Sequence, residues 1–356
     1  MKKNILAIAI ASAVAAPVAM ANGPTVYGQM QVEIANVDNG GYGDNNFKGQ
    51  RQAVTADESA LKMADNKRGR LGIKGSEDLG NGLQAIYQFE WQIDTPNGNI
   101  ADGARIGMVG LKGGFGTFEA GRLKVPYKYT GGVKYDPFAC TYLEARNSGG
   151  MSGGAFGHNS FWDNSVAYKN DFGKVNVWVA YGVDGGNGDT DTGNSGDLSA
   201  SVTYKDGNYE AFVSTAMDVD TSGEGTGTTP AAAKADNDLK YTANKVGGQY
   251  KMGNHTFSAQ YEMITNEGTT ASPRPNDDAS TVAFLGYQLK MGATTLVAQL
   301  GQTDDDADAR DTDYMAVGAI HKLSKKTRVF GGYRNSDQAD GKGDYTAITA
   351  GLRIDF

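Results

Sequence analysis

The feature that most constrains this chain is a series of period-two stretches joined by connections that alternate between short and long. Apolar and polar residues that alternate along a stretch predict a β-strand with one apolar and one polar face. Most of the stretches have about the 9–11 residues that a tilted membrane-spanning strand needs. Sixteen are present, at 25–35, 66–76, 82–93, 104–112, 116–123, 164–170, 173–182, 197–205, 208–217, 239–252, 255–264, 280–290, 293–302, 313–322, 327–335 and 346–356.

The connections sort by parity into seven short turns and eight long polar loops. Asp206-Gly207 and Gly253-Asn254 are typical of the short ones, because such pairs supply the positive φ angles of tight hairpins. The long loops lie at 36–65, 94–103, 124–163, 183–196, 218–238, 266–278, 304–312 and 336–345. A transmembrane barrel has short turns at one end and long loops at the other. We therefore predict an all-β fold, a transmembrane antiparallel 16-stranded β-barrel.

The first residues predict export. Lys2 and Lys3 precede an apolar run at 5–16, and Ala19-Met20-Ala21 offers the small residues that a signal peptidase reads. We expect residues 1–21 to be a cleaved signal peptide and residues 22–356 to form the barrel. An uncleaved anchor is the alternative, but it lacks a run of about 18 apolar residues.

The last residues alternate strictly and end on an aromatic ring, which suits a wall between lipid and water. An ordinary half-buried strand is the other interpretation. The residues on the apolar face are Ile348, Ala350, Leu352, Ile354 and Phe356.

Charge and residue counts argue against several classes of function. The formal net charge is −8, which disfavours nucleic acid as a partner. Cys140 is the only cysteine, so no intramolecular disulfide forms. Of the three histidines, His158 lies in the third loop, while His255 and His321 adjoin short turns. We therefore expect no Ser/His/acid catalytic group and no enzymatic activity, with a barrel hydrolase as the alternative.

Residues 68–83, which read RGRLGIKGSEDLGNGL, resemble the second hairpin of the general, non-specific porins of Gram-negative proteobacteria. Weaker resemblances lie at 26–28, 105–122, 163–168 and the terminal Phe356. The resemblance implies a homotrimer in the cell outer membrane, with the third loop of each barrel folded inward. It implies a water-filled channel for passive diffusion of small hydrophilic solutes and ions. The partners it implies are outer-membrane lipid and lipopolysaccharide.

Two functional alternatives stay open at this point. A substrate-selective sugar or anion channel is one, because Phe138, Tyr142, Phe156, Phe161 and Trp162 in or beside the third loop could form an aromatic track. An adhesin-type barrel that binds partners through its long loops is the other.

The acidic runs at 184–197 and 304–313 contain Asp-x-Asp spacing that could bind Ca²⁺, but they lack the complete calcium-loop pattern. We interpret them as solvated loop tips and expect no cofactor. Lys325 and Lys326 are interpreted in the same way, as a solvated turn.

Basic residues on one strand face predict the lining of a constriction. Arg68, Arg70 and Lys74 share the polar face of the second strand. Arg105 opens the fourth strand, with Ile106 and Met108 expected on the lipid side. The resemblance implies that Arg70 and Arg105 line the pore and face the third loop. Arg122 is also a candidate, although its parity matches that of lipid-facing Phe118.

Acidic residues complete the predicted constriction. Asp136 and Glu144 in the third loop, and Glu90 on the polar face of the third strand, are candidates to oppose the arginines across a transverse field. Five outer loops, at 183–196, 218–238, 266–278, 304–313 and 336–345, hold 20 Asp or Glu against 4 Lys or Arg. An acidic vestibule concentrates cations, so the sequence predicts a weak cation preference that fades at high salt.

Overall fold

The structure, a computed structural model, describes residues 22–38, 59–146, 148–153, 158, 161–183, 196–220, 240–267, 279–305, 311–338 and 344–356. The predicted signal peptide at 1–21 lies outside these ranges, as do residues 184–195 and 306–310 of the two acidic runs. In the described ranges, no helix is both long enough and apolar enough to span a membrane.

Strands account for nearly all of the regular structure. A single helical turn at Pro126–Tyr129 and a 3-10 turn at Gly132–Lys134 follow β6. The strands are β1 (Asn22–Asp38), β2 (Ser59–Ala64), β3 (Arg70–Gly80), β4 (Leu83–Asp94), β5 (Asn99–Gly113), β6 (Gly116–Leu123), β7 (Trp162–Phe172), β8 (Val175–Gly182), β9 (Leu198–Asp206), β10 (Tyr209–Asp220), β11 (Lys240–Met252), β12 (His255–Glu267), β13 (Ala279–Met291), β14 (Thr294–Asp305), β15 (Thr312–Lys322), β16 (Thr327–Gln338) and β17 (Tyr345–Asp355).

The strands form one closed antiparallel barrel. Each strand from β3 to β17 pairs with its neighbour in sequence, and β17 returns to pair with β1. Closure pairs the first and last strands of the sheet, which a bilayer requires because lipid satisfies no backbone hydrogen bonds. We expected Tyr27 and Leu352 to lie near this seam. In the observed register Leu352 is opposite Val32, and Tyr27 is opposite Gly72 on the other side of β1.

The barrel wall has sixteen positions, because β2 and β3 share one of them. β1 pairs with β2 along its second half and with β3 along its first half. The predicted 16-stranded barrel is therefore confirmed, but the second predicted strand begins at Arg70 instead of at position 66. Residues 59–64, which we assigned to the first long loop, form β2.

A tight turn at Asp65 interrupts the shared position. One carboxylate oxygen of Asp65 accepts a hydrogen bond from the Lys67 amide at 2.9 Å, and the other accepts one from Gly69 at 3.3 Å. Asn66 and Lys67 have positive φ values of 48° and 59°. Residues in that conformation cannot continue a strand, so the chain resumes its pairing only at Arg70.

Short turns and long connections alternate as the sequence predicted, except that the predicted long loop at 94–103 is a four-residue turn, 95–98, between β4 and β5. The seven tight turns close one end of the barrel, and the glycines in four of them have φ values between 55° and 64°: Gly173, Gly207, Gly253 and Gly292. Positive φ values of this kind are what two-residue hairpins require. All long connections leave from the opposite end.

The two faces of each strand differ sharply. Outward side chains are apolar and exposed, as at Phe89, Leu285 and Ile348, which are 49 %, 58 % and 62 % exposed. Alternate side chains face inward and include buried charged groups such as Glu33 and Glu262. An apolar exterior with a polar interior is the arrangement of a barrel that is surrounded by lipid and encloses water.

Candidate functional site

Three inward-facing side chains on β3, β4 and β5, those of Arg70, Glu90 and Arg105, form an ion-pair cluster. We call this cluster, together with Arg68 and Lys124, the basic wall. Glu90 of β4 is 3 % exposed and lies at its centre. Arg105 Nε donates to Glu90 Oε1 at 2.8 Å, and Arg70 Nη1 lies 3.9 Å from the same oxygen. Tyr27 donates its hydroxyl to Glu90 Oε2 at 2.9 Å. One carboxylate therefore holds two guanidinium groups and a phenol on the inner face.

A bulge in β5 sets the direction of Arg105. The β4–β5 register shifts between Glu90 and Trp91, so Ile106 lies directly opposite Glu90 while Ala104 lies opposite Trp91. Directly opposed residues share a face, and Ile106 is 2 % exposed. The prediction that Ile106 and Met108 face lipid is therefore wrong. The extra residue of a bulge lets Arg105 and Ile106 both point inward.

The connection from β6 to β7 begins and ends beside the basic wall. Lys128 Nζ lies 4.0 Å from the centre of the Phe161 ring, and the guanidinium carbons of Arg105 and Arg122 lie 4.8 and 5.9 Å from it. Burial lowers the pKa of Lys128 well below its usual range, and Arg146 and Arg105 lower it further. Several cations thus share one aromatic ring.

Lys124 adds charge where the connection leaves β6. Burial lowers the pKa of Lys124, Glu90 raises it, and Arg70 and Arg105 lower it again. The pKa of Lys124 therefore depends on the charges of the other residues of the basic wall. Arg68 lies in the turn before β3 and donates through Nη2 to the Ala139 carbonyl of the connection. The basic wall is thus joined to the connection at both of its sides.

The two predicted loop acids have other partners. Asp136 is buried and accepts hydrogen bonds from the Phe138 and Ala145 amides and from Gln299 of β14 at 2.8–2.9 Å. Burial raises the pKa of Asp136 to about 6. Glu144 pairs with Arg146 at 2.9 Å. Neither carboxylate pairs with Arg70 or Arg105 among the contacts that the structure describes.

The connection hydrogen bonds to the inner faces of strands across the barrel from β3–β5. Its backbone and side chains contact inward residues of the strands from β9 to β16, which we call the anchoring wall. Tyr127 donates its amide to Ser199 at 3.0 Å and its hydroxyl to Glu262 at 2.9 Å. Further contacts, at 2.6–3.2 Å, join Gly132 to Gln260, Tyr314 to Leu143 and Arg334 to Tyr142.

Apolar packing supports these polar contacts. Tyr135, Phe138 and Leu143 of the connection pack with inward residues of the anchoring wall, among them Phe212 and Phe284. Their burial contributes on the order of 1.5–3 kcal/mol for each large side chain. The connection is therefore seated by an apolar cluster as well as by hydrogen bonds.

A buried group of Ser152, His158 and Glu262 comes together, although we expected no such assembly. His158 Nδ1 lies 3.0 Å from Ser152 Oγ, which also donates to Glu262 at 2.5 Å. The second ring nitrogen of His158 faces Lys245 Nζ at 3.0 Å. The Glu262 carboxylate lies on the same side of the ring as Ser152, 3.6 Å from His158 Nδ1, and Lys245 faces the ring nitrogen where a hydrolase triad has its carboxylate. All three side chains are fully buried. The geometry therefore fits a structural anchor.

Comparison with known proteins places this barrel in a family. The family model described as "Gram-negative porin" matches residues 7–341. The chain belongs to the Gram-negative porin family. The major outer membrane protein P.IB of Neisseria meningitidis serogroup B is 27% identical to this porin over the full length of both chains. The gonococcal P.IB is 37% identical over 131 residues, which are 37% of this chain and 34% of that relative.

Solved porins share the fold. The anion-selective porin from Comamonas acidovorans superposes with a TM-score of 0.74 at 22% identity, covering 94% of this chain and 99% of that one. A trimer form of an outer-membrane protein of Vibrio cholerae gives 0.66 at 15% identity, with the same coverage. This porin therefore lies in the outer membrane and forms a channel for passive diffusion.

The structure thus brings together Arg70, Arg105 and Glu90 of the predicted constriction, with Arg68 beside them. It places Arg122 at the end of β6, where Nη1 pairs with Asp163 at 2.7 Å, and it sets Asp136 against the anchoring wall. Sequence reasoning missed Lys124 and Lys128 as members of this site. Lys124 follows directly on the predicted strand at 116–123 and Lys128 lies near the start of the predicted third loop, which was the available signal.

The predicted aromatic track is only partly present. Phe138 and Trp162 are fully buried and Phe161 is 8 % exposed, so these rings pack inside the connection and do not face open water. Phe156 lies outside the described residues. The interpretation of the acidic runs as solvated loop tips stays a prediction, and within the described ranges no three His, Cys, Asp or Glu side chains are grouped to hold a metal ion.

Proposed function

We propose that this porin is a homotrimer whose channels admit small hydrophilic solutes and ions, with the narrowest part between the basic wall and the third loop. The third loop is the connection between β6 and β7. Its hydrogen bonds to β9, β12, β14, β15 and β16 support this position. The outer face contacts lipid and lipopolysaccharide, and the molecule acts by passage of solutes without catalysing a reaction.

The net positive charge of the basic wall supports a second part of the proposal, a preference for anions. Arg68, Arg70, Arg105 and Lys124 surround the single carboxylate of Glu90 among the described residues of this wall. Asp136 and Glu144, which we expected to balance them, are engaged elsewhere. Charge in a narrow passage acts on every permeating ion, whereas salt screens a wide acidic vestibule beyond about 8 Å. We therefore favour anions over the weak cation preference predicted from the sequence.

Reversal potentials in a KCl gradient test the preference. The purified porin in a planar bilayer is expected to pass chloride more readily than potassium, at low and at high salt. Arg70→Ser should reduce that preference, since it removes a cation that is only 16 % exposed and lies at the passage. A cation-selective wild type, or an unchanged potential in Arg70→Ser, would contradict the proposal.

Conductance tests the position of the loop. Deletion of residues 140–155 is expected to raise single-channel conductance, because it removes part of the segment that contacts the anchoring wall. Unchanged conductance in a correctly assembled deletion variant would show that the segment does not narrow the passage.

Electrophoresis of the detergent-extracted porin without heating tests the trimer. We expect a band near three times the monomer mass, which heating converts to the monomer. A monomer confirmed by light scattering would contradict the proposed assembly.

A further inference from the structure

Three cations lie in direct cross-strand register on the inner face of β15, β16 and β17, close to the short turns. Lys322 is opposite Arg328, and Arg328 is opposite Arg353. The adjacent pair Val329 and Leu352 is exposed on the outer face. Because successive side chains of a strand point to opposite faces, the cations lie on the inner face. Like charges placed directly opposite each other destabilise a sheet. We call these residues the turn-side cation row.

Asp355 is the carboxylate that holds this row. It accepts hydrogen bonds from Arg328 Nη2 at 2.5 Å and from Arg353 Nε at 2.8 Å. Three cations and one carboxylate leave a net charge of +2 on this patch. Asp355 fixes the direction of both guanidinium groups, and the side chains of Arg328 and Arg353 stay 26 % and 14 % exposed.

Two polar atoms beside the row lack a partner. Arg328 Nε and Gln29 Oε1 are buried and make no hydrogen bond in the part of the chain that the structure describes. Gln29 lies on β1 directly opposite Asp355. Buried polar groups normally find partners, so an unsatisfied arginine donor indicates a group that the protein itself does not supply. A rotation of the Gln29 amide would offer a second donor there.

We infer that the turn-side cation row is an oxoanion-binding site at the periplasmic mouth, which takes a carboxylate or phosphate group. Guanidinium forks match the planar or tetrahedral oxygens of such groups better than they match chloride. The short turns of an outer-membrane barrel face the periplasm. Lys325 and Lys326 in the adjoining turn, interpreted above as solvated, add charge at the rim. The inference deepens the proposed anion preference and rests on it.

The experiment uses the intact porin in planar bilayers with inorganic phosphate as the probe. Phosphate added on the turn side, at fixed KCl, is expected to lower chloride conductance along a saturating curve. Arg353→Gln should raise the half-blocking phosphate concentration about tenfold, the loss expected for one charge-assisted hydrogen bond. Lys322→Gln serves as a second variant if Arg353→Gln does not assemble, because the Lys322 side chain is exposed.

Lys251→Gln is the matched control. Lys251 lies on the inner face of β11 at the same end, is exposed, and is opposite Thr256 instead of an arginine. The control removes the same charge and should leave the half-blocking concentration unchanged. An equal shift in control and variant, or a non-saturating effect of phosphate, would overturn the site.

The outcome separates this site from the proposed function. If Arg70→Ser lowers anion preference while Arg353→Gln leaves phosphate block unchanged, the anion preference stands and the site is wrong. If the wild type prefers cations while Arg353→Gln weakens a saturable block, the site stands and the preference is wrong.

Discussion

The basic wall and the anchoring wall both consist of inward-facing strand positions, but their charged side chains differ in exposure and in hydrogen bonding. Arg70 and Arg105 on the basic wall are 16 % and 11 % exposed and share one carboxylate. On the anchoring side, Glu262 and Lys245 are 0 % and 3 % exposed, and each has several hydrogen-bond partners in the third loop. The proposed function therefore assigns conduction to the polar inward positions on one side and loop attachment to those on the other.

The difference follows from what covers each wall. A charge that faces water keeps its hydration, whereas a charge covered by a loop must exchange hydration for direct partners. The anchoring wall meets this demand by pairing Lys245 with the Tyr127 carbonyl and with His158, and Glu262 with Tyr127 and Ser152. Substitution should therefore weaken loop attachment on one side and change ion selectivity on the other.

The largest expected effect is on the anchoring wall. Lys245→Met leaves the polar groups around it unpaired in a buried site, which costs about 3–5 kcal/mol of loop attachment. We expect higher and noisier single-channel conductance. Lys251→Met, on the same face of the same strand but exposed, is the control and should conduct like the wild type. A quiet Lys245→Met channel of normal conductance would mean that this wall does not hold the loop.

A smaller effect concerns pH. The pKa of Asp136 is raised by burial from 3.8 to about 6, so the attached loop binds the proton more tightly than the free loop. Attachment is therefore strongest below pH 4 and weakens as pH rises through about 6, by on the order of 3 kcal/mol. The difference in thermal unfolding midpoint between wild type and Asp136→Asn should therefore change with pH when it is measured from pH 4 to 7. A difference independent of pH would refute it.

A change of charge on the basic wall should alter ion selectivity instead of loop attachment. Glu90→Gln keeps an acceptor for Arg105 and removes the carboxylate, so the net positive charge of the passage increases. We expect anion preference in a KCl gradient to rise about fivefold, which corresponds to roughly 1 kcal/mol for one unit charge at close range in water. A decrease would show that Glu90 acts mainly by holding the arginines in place.

The smallest effect is expected at an exposed ion pair that belongs to neither wall. Lys174 and Asp206 lie 2.6 Å apart at the turns and are 58 % and 32 % exposed. Lys174→Gln should change the free energy of unfolding by less than about 0.5 kcal/mol and leave selectivity unaltered. A larger change in the free energy of unfolding, or an altered reversal potential, would contradict this expectation.

The strands were predictable because a period of two is a local property of the sequence. The turn at Asp65 was not, since the Asp65 carboxylate also accepts from the Thr95 amide in the turn after β4. The bulge that turns Arg105 inward likewise depends on the register with Glu90. Periodicity identifies the inward face of a strand, but it does not tell which inward positions a distant loop will cover. Asp136 was misplaced for that reason.

The seam between β1 and β17 has a consequence for how the molecule assembles. Ten residues of β1, from Gln29 to Asp38, pair with Asp355 to Thr346, and Phe356 exchanges backbone hydrogen bonds with Gly28 at 3.0 and 3.2 Å. The two partners are separated by more of the chain than any other pair of strands, so their contact carries the largest loop-closure entropy. Until it forms, both margins of the sheet are open templates for other chains. Completion of this seam is therefore the step at which the nascent sheet loses its capacity to aggregate.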